Sequence, residues 1–208
     1  MDILGGPFGM LDKISAGIKE GAVVVFPTET VYGIGAAICS EKAVTRIYDI
    51  KKRDRNKTFA IHISDKKRIA EFSLEPPAYA RTLINSFMPG PVTIILRAAA
   101  GVPEYLTGGR GTVGFRLPSH ILARELIRKC GGAIAATSAN ISGRPEISDP
   151  AELKRVFENK ADYIIIDESE GFSGTPSTVL DCTGNSCLIL REGAVGREDI
   201  EKALHGLP

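Results

Sequence analysis

Apolar positions recur along the chain at two spacings, and the changes between them mark out the elements. Leu11, Ile14 and Ile18 repeat at helical intervals within Met10–Glu20, and Gly21 supplies a stop. The unbroken apolar run Ala22–Phe26 predicts a buried strand, ended by Pro27, which has no N–H to donate. Ser40 is placed to cap a helix reaching about Ile50, with Val44, Ile47 and Tyr48 as its inner face. Phe59–Ile63 alternates, so Phe59, Ile61 and Ile63 point one way and Ala60 and His62 the other. Asp65–Phe72 and Pro77–Phe87 predict two helices, Pro89-Gly90-Pro91 a rigid turn, and Val92–Leu96 and Thr112–Leu117 two strands. Ser119 is placed to cap a helix to Cys130 that Gly131-Gly132 stops, and Ala133–Thr137 predicts a strand of small residues. Asp149-Pro150, a cap followed by proline at the first helical position, starts a helix to about Glu158. Tyr163–Ile166 predicts a buried strand and Glu168–Pro176 a loop rich in Gly, Ser and Glu. Ser177–Asp181 and Cys187–Leu190 predict two strands joined through Thr183-Gly184-Asn185, and a last helix spans about Arg197–Leu204.

About seven strands interleaved with six or seven helices predict an α+β (α/β-like) fold, and the short connections predict a mixed sheet. The 208 residues suffice for a sizeable core, and no repeat, low-complexity tract or long linker divides residues 1–208, so a single domain is expected. A net charge of +1 gives no overall pull on a polyanion, so any such partner must be held by local charge. The cysteines at 39, 130, 182 and 187 form no Cys-x-x-Cys and have no histidine nearby, which argues against zinc and for reduced thiols in a cytoplasmic protein. No stretch approaches the roughly 18 apolar residues of a membrane helix, and the N-terminus lacks the pattern of a signal peptide.

Chemistry concentrates at strand ends. Phe26-Pro27-Thr28-Glu29-Thr30-Val31-Tyr32-Gly33-Ile34-Gly35 turns at once from apolar to polar, and reads equally as a binding edge or as a plain strand-to-helix loop. The Gly-x4-Gly-Lys-Ser/Thr, Gly-x-Ser-x-Gly and His-Glu-x-x-His signatures are absent, and His120 beside Ser119 is not a catalytic pair. Lys51–Lys57 holds five basic residues against one Asp, and reads as a solvated face or as a polyphosphate or RNA contact. Arg116 and Arg191, each at the end of an apolar strand, need solvent or an anion; a guanidinium can grip a carboxylate or phosphate through two parallel hydrogen bonds. Thr137-Ser138-Ala139-Asn140 and Ser177-Thr178 add hydroxyls and an amide. Hydroxyls, one amide, one histidine and several cations, with no evident nucleophile or carboxylate pair, suit alignment of anionic and zwitterionic substrates better than covalent catalysis.

Five ordered blocks resemble the YrdC/YciO-like family of threonylcarbamoyl-AMP synthases. They are Phe26–Gly35, Phe87-Met88-Pro89-Gly90-Pro91-Val92-Thr93, Gly114-Phe115-Arg116-Leu117-Pro118-Ser119-His120, Ala136-Thr137-Ser138-Ala139-Asn140-Ile141-Ser142-Gly143, and Ser177-Thr178-Val179-Leu180-Asp181 leading to Ile189-Leu190-Arg191-Glu192-Gly193-Ala194. The resemblance implies a twisted mixed sheet around one large basic cleft. It implies that L-threonine, bicarbonate and ATP, with Mg²⁺ carried on ATP, give threonylcarbamoyl-AMP and pyrophosphate. A separate transferase would then modify adenosine 37 of tRNA. By position Thr30, His62, Arg116, Ser138 and Ser177 would bind threonine. Lys51, Arg53, Lys57, Thr112, Asn140, Ser148 and Arg191 would surround the nucleotide, with Lys51 and Arg53 stabilising charge and no resident metal ligands. Gly33 and Gly35 would let backbone pass close. Where the family carries Lys-Gly-Arg-Pro, this chain has Lys51-Lys52-Arg53-Asp54, a run more like the YciO branch, whereas Ser138-Ala139-Asn140 and His62 resemble the synthases. The alternatives are a double-stranded-RNA-binding module of the YciO branch, with tRNA in the basic cleft, and carbamoyl-adenylate chemistry on another substrate. The chain ends at Pro208, so the further domain of longer family members is expected to be absent.

Overall fold

The computed structural model of the protein describes residues 2–4, 9–167 and 173–205. In chain order the elements are β1 (Asp2–Leu4), α1 (Leu11–Lys19), β2 (Val24–Phe26), β3 (Gly33–Ala37), α2 (Glu41–Lys51), β4 (Ala60–Ile63), a 3-10 segment (Lys66–Glu71), α3 (Ala78–Phe87), β5 (Val92–Arg97), α4 (Glu104–Thr107), β6 (Thr112–Arg116), α5 (Ile121–Lys129), β7 (Ala133–Ser138), α6 (Pro150–Phe157), β8 (Tyr163–Ile165), β9 (Thr178–Asp181), β10 (Leu188–Arg191) and α7 (Arg197–His205). The strands of the described residues form one mixed sheet in the order β1-β8-β2-β3-β7-β4-β6-β5-β9-β10. Ser40 and Asp149 cap α2 and α6 as expected, the first accepting from Ala43 N–H and the second from Ala151 and Glu152 N–H.

The pattern-based expectation departs from this in a few places. The sheet has ten strands rather than about seven. Gly33–Ala37 carries no apolar alternation, yet β3 lies mid-sheet between β2 and β7. Its small residues answer to neighbours: a Cβ on Gly33 would lie 2.9 Å from the Phe26 ring, and one on Gly35 3.0 Å from the Ala135 carbonyl. Those glycines therefore admit the sheet's own atoms. Residues 66–71 form a 3-10 segment, not an α-helix. The N-cap of α5 is His120, with no side-chain cap bond, so Ser119 is not the cap. Of the expected loop Glu168–Pro176, residues 168–172 lie outside the described residues.

Strand periodicity sorts residues onto the two faces of the sheet, and that sorting creates the site. One face is covered: Phe59, Ile61 and Ile63 of the β4 region, Val92, Ile94 and Leu96 of β5, and Val113 and Phe115 of β6 pack in a core that includes residues of α2, α3, α6 and α7. The other face is covered over β8, β2, β3 and β7. There Val24, Phe26, Ala37, Ile134 and Ala136 meet Leu11, Ile14 and Ile18 of α1 and Leu122, Leu126 and Ile127 of α5. Beyond α5, no helix of the described residues lies over the same face of β4, β6, β5 and β9. The residues presented there are Ala60 and His62, Thr112, Gly114 and Arg116, Thr93 and Ile95, and Val179. Cross-strand register sets Ala60 beside both Ala136 and Gly114, and His62 beside both Ile134 and Arg116. Small residues make the floor of the open half, and polar ones stand at its ends.

Candidate active site

The uncovered half-face is a cleft of about 270 Å³. Four arginines line it, Arg53, Arg110, Arg116 and Arg191, together with Thr28, Thr58, Thr93, Thr112, Thr137, Ser138, Ser177 and His62. Among the described residues no carboxylate lines it. With four cationic side chains and low-dielectric walls, the cleft concentrates anions.

Arg116 ends β6 and is 6% exposed. Its Nη2 donates to Thr30 Oγ1 at 2.5 Å, Glu29 Oε1 at 3.0 Å and Thr28 Oγ1 at 3.3 Å. The Thr28–Thr30 turn is itself fixed. Thr28 Oγ1 donates to the Val31 carbonyl at 2.6 Å, and Ser173 and Gly174 N–H donate to the carbonyls of Glu29 and Thr30 at 2.9 Å each. The ion pair is one-pronged: among the described residues, Glu29 Oε2 and Arg116 Nε are both buried without partners. Buried polar atoms are ordinarily satisfied, so two orphans on one pair leave hydrogen-bonding capacity for something that enters. His62 packs edge-on against Phe26, with ring centroids 6.2 Å apart. Burial, reinforced by the Arg116 charge, pulls His62 down to about 3, so the imidazole is neutral at physiological pH. Its Nδ1 has no partner.

Ser138 and Ser177 approach from two sides. Ser138, at the end of β7, donates to Asn140 Oδ1 at 2.8 Å. Ser177, just before β9, shares a 3.0 Å hydroxyl–hydroxyl bond with Thr93. Arg191, at the end of β10, donates from Nε and Nη2 to the Ser177 carbonyl at 3.1 and 2.7 Å. The β9–β10 hairpin thus delivers both residues together. Gly193 is required beside them, because a Cβ there would lie 2.2 Å from the Pro176 carbonyl.

Of the residues that the resemblance sets around the nucleotide, Arg53, Thr112 and Arg191 line the cleft. Arg53 is held by the carbonyls of Lys57 and Thr58 at 3.0 and 2.9 Å and stacks over Phe59. Lys51 and Asn140 lie behind the wall. Lys51 is 1% exposed, and its Nζ donates to the Ser138 carbonyl, the Asn140 carbonyl at 2.7 Å and Asn140 Oδ1 at 3.0 Å. Burial, then the Arg53 charge, pull Lys51 down to about 7, against Glu146. Three oxygen acceptors around Nζ match the three donors of the ammonium form. Asn140 Nδ2 donates to the Arg144 carbonyl at 2.6 Å. Lys57 and Ser148 are exposed and do not line the cleft.

Sequence reasoning passed over Arg110 and Glu29. Arg110 stands in Gly108-Gly109-Arg110-Gly111, whose three glycines have φ of 60°, 71° and 63°. That left-handed loop, a signal legible in the glycines, places Arg110 on the cleft with its Nη2 on the Asn56 carbonyl at 2.6 Å. Glu29 was within the opening motif without a role.

Residues 16–193 match the family profile of Sua5, YciO and YrdC proteins, described as telomere recombination. A threonylcarbamoyl-AMP synthase of Pyrococcus abyssi is 41% identical over 193 residues, covering 92% of this chain and 56% of the relative. The structure of P. abyssi Sua5 complexed with L-threonine superposes with a TM-score of 0.88 at 39% identity, over 93% of this chain and 56% of that one. E. coli YciO superposes with a TM-score of 0.80 at 29% identity, over 89% of both chains. The chain thus spans little more than half the length, 56%, of the synthase it matches.

Proposed function

The chain belongs to the Sua5/YciO/YrdC family, and on that premise we propose that it is a threonylcarbamoyl-AMP synthase, joining L-threonine, bicarbonate and ATP to give threonylcarbamoyl-AMP, pyrophosphate and water. The observation that carries this reading is the cleft itself: four arginines and a row of hydroxyls on a floor of small residues, with no carboxylate lining it among the described residues. Such a site takes a polyphosphate beside a small zwitterion.

Arg116 grips the threonine carboxylate once Glu29 yields, and the hydroxyls of Thr30, Ser138 and Ser177 hold its polar groups. Neutral His62 offers an imidazole, without charge, to a polar group of the substrate. The threonine amine adds to the bicarbonate carbon with loss of water, forming an N-carboxylate. An oxygen of that carboxylate attacks the α-phosphorus of ATP, and pyrophosphate leaves on the opposite side. Arg53, Arg110 and Arg191 offset the charge on the phosphates, so catalysis is alignment and charge stabilisation with no enzyme nucleophile. Mg²⁺ would enter as an ion carried on the phosphates, which hold it with few protein ligands. The mixed anhydride formed is an activated acyl donor, which a separate transferase would pass to tRNA adenosine 37.

Pyrophosphate release and the adenylate are measured by mass spectrometry with threonine, bicarbonate and ATP. The expected result is threonine-dependent release of pyrophosphate; none, where a working synthase run in parallel turns over, overturns the proposal. Arg116→Ala should weaken threonine use about 100-fold, the cost of a charged, two-pronged contact, with ATP binding far less affected. An RNA-binding role is favoured by the exposed Lys52, Arg55, Lys57 and Lys67, which lie off the cleft. It predicts RNA affinity that falls steeply with salt and is indifferent to Thr30→Ala.

A further inference from the structure

Cys182 and Cys187 flank the turn of the β9–β10 hairpin, and the mechanism uses neither. The hairpin register pairs Leu188 with Asp181 and Ile189 with Leu180, so one step back sets Cys187 opposite Cys182. Cys182 N–H donates to the Ile95 carbonyl at 2.9 Å, across β9 from β10. A strand residue directs its N–H and C=O to the same edge, so Cys182 and Cys187 form a non-hydrogen-bonded pair. In such pairs the Cα atoms approach to about 4.5 Å and the side chains are closest. Disulfides span Cα separations of roughly 4.4–6.8 Å, so the bridge needs no movement of the strands. The turn is already held: Thr183 N–H and Oγ1 donate to Asp181 Oδ1 at 2.9 and 2.7 Å, and the Tyr79 hydroxyl donates to the Gly184 carbonyl at 2.8 Å.

The two thiols differ in access. Cys182 is 1% exposed, while Cys187 is half-buried and lines a surface groove with Leu188, Ile200 and Leu204. A hydrogen bond between the thiols holds Cys187 below the ordinary thiol value and, with burial, pushes Cys182 up. Cys187 is therefore the group that reacts first with a reagent from solvent.

We propose that Cys182 and Cys187 are a site of reversible oxidation, closing a cross-strand disulfide that latches the hairpin carrying Ser177 and Arg191 into the cleft. The oxidant is a small-molecule disulfide. The Cys187 thiolate attacks one of its sulfurs and expels the first small thiol, leaving a mixed disulfide on Cys187. Cys182 then attacks the Cys187 sulfur and expels the second small thiol, its own proton passing to solvent. Two protein thiols are oxidised to one disulfide, and one small disulfide is reduced to two thiols. The site does not depend on the reaction proposed above.

Oxidised glutathione is titrated into the native full chain, the mixture is quenched in acid, and the peptides are read by mass spectrometry without reductant. The peptide holding both cysteines should lose the mass of two hydrogen atoms, while exposed Cys39 takes only a glutathione adduct. The oxidised chain should melt about 5 °C higher, as a short closed loop in a chain of this size predicts, and dithiothreitol should reverse the shift. In Cys187→Ser, Cys182 should stay a thiol and the shift should vanish. The proposal is overturned if Cys39 reacts while Cys182 and Cys187 both remain alkylatable, if the bridge forms only after denaturation, or if Cys187→Ser leaves the thermal shift in place.

Discussion

Lys51 is the residue on which the sequence resemblance and the structure pull furthest apart, and replacing it by methionine separates the two. The substitution keeps an unbranched apolar stem and removes the ammonium. Three oxygens lose a hydrogen bond, but the Ser138 carbonyl keeps the Asn140 N–H at 3.1 Å and Asn140 Oδ1 keeps the Ser138 hydroxyl at 2.8 Å, so only the Asn140 carbonyl is left bare. A buried acceptor left without a donor costs roughly 1–3 kcal/mol, and relief of the buried charge offsets part of the total. A net loss of about 2 kcal/mol follows, which in a chain of this size lowers the melting temperature by about 6 °C. Urea and thermal unfolding followed by circular dichroism read it directly. The pH dependence carries a second signature. The folded value of Lys51 lies near 7 against an ordinary 10.5, so between those values the unfolded chain binds more protons and stability rises with pH. The charge-burial penalty is full below pH 7 and is relieved above it, so the margin of wild type over Lys51→Met should widen from pH 7 to 9. If Lys51→Met melts within a degree of wild type while ATP binding collapses, the lysine works on phosphate and does not fix the Ser138–Asn140 loop.

Glu29→Gln leaves the Arg116 charge uncompensated and should lower the melting temperature of the ligand-free protein, by about 3 kcal/mol of stability at most. Threonine should then raise that temperature more than it does in wild type, and equal shifts would show that Glu29 does not compete for Arg116. Gly193→Ala should cost more than about 3 kcal/mol, because the new Cβ meets backbone at 2.2 Å that cannot give without displacing Ser177; a wild-type melting curve would contradict it. Lys52 has φ 51° at the helix C-cap, where the family run carries glycine. Lys52→Gly should therefore stabilise by about 0.5 kcal/mol, the left-handed penalty less the glycine entropy, and a lower urea midpoint would refute this. Arg110→Ala should weaken ATP binding and flatten its salt dependence while leaving threonine binding unchanged, as isothermal titration at two ionic strengths would read.

What could be read from the sequence was set by periodicity. Phe59–Ile63 alternates strongly, so the opposed faces of Ile61 and His62 were legible, and the structure puts Ile61 in the core and His62 on the cleft. Helices with side-chain caps, at Ser40 and Asp149, began where their caps stand. β3 was not legible, because its composition is dictated by tertiary neighbours: Phe26 fills the space at Gly33 and the β7 backbone that at Gly35. Nor could periodicity tell a buried lysine from a solvated one. Lys51 and Lys57 belong to one basic run, yet one is 1% exposed among three acceptors and the other is exposed outside the cleft.

The site likewise follows from the pairing of strands rather than from any single motif. Arg116, His62 and Ala60 share a face because β4 and β6 run parallel in register, and Ala136 joins them because β7 pairs antiparallel with β4. None of these relations is local in sequence. α1 and α5 cover only one half of that face, so the next strands keep theirs open, with Ala60, Gly114 and Ala136 as its floor. A larger side chain at Gly114 would grow towards Thr93, whose γ-methyl already stands 3.4 Å from the position of a Cβ there, and into the space the arginines face. The cleft therefore depends on two things together: the missing helix above the strands and the missing side chains within them.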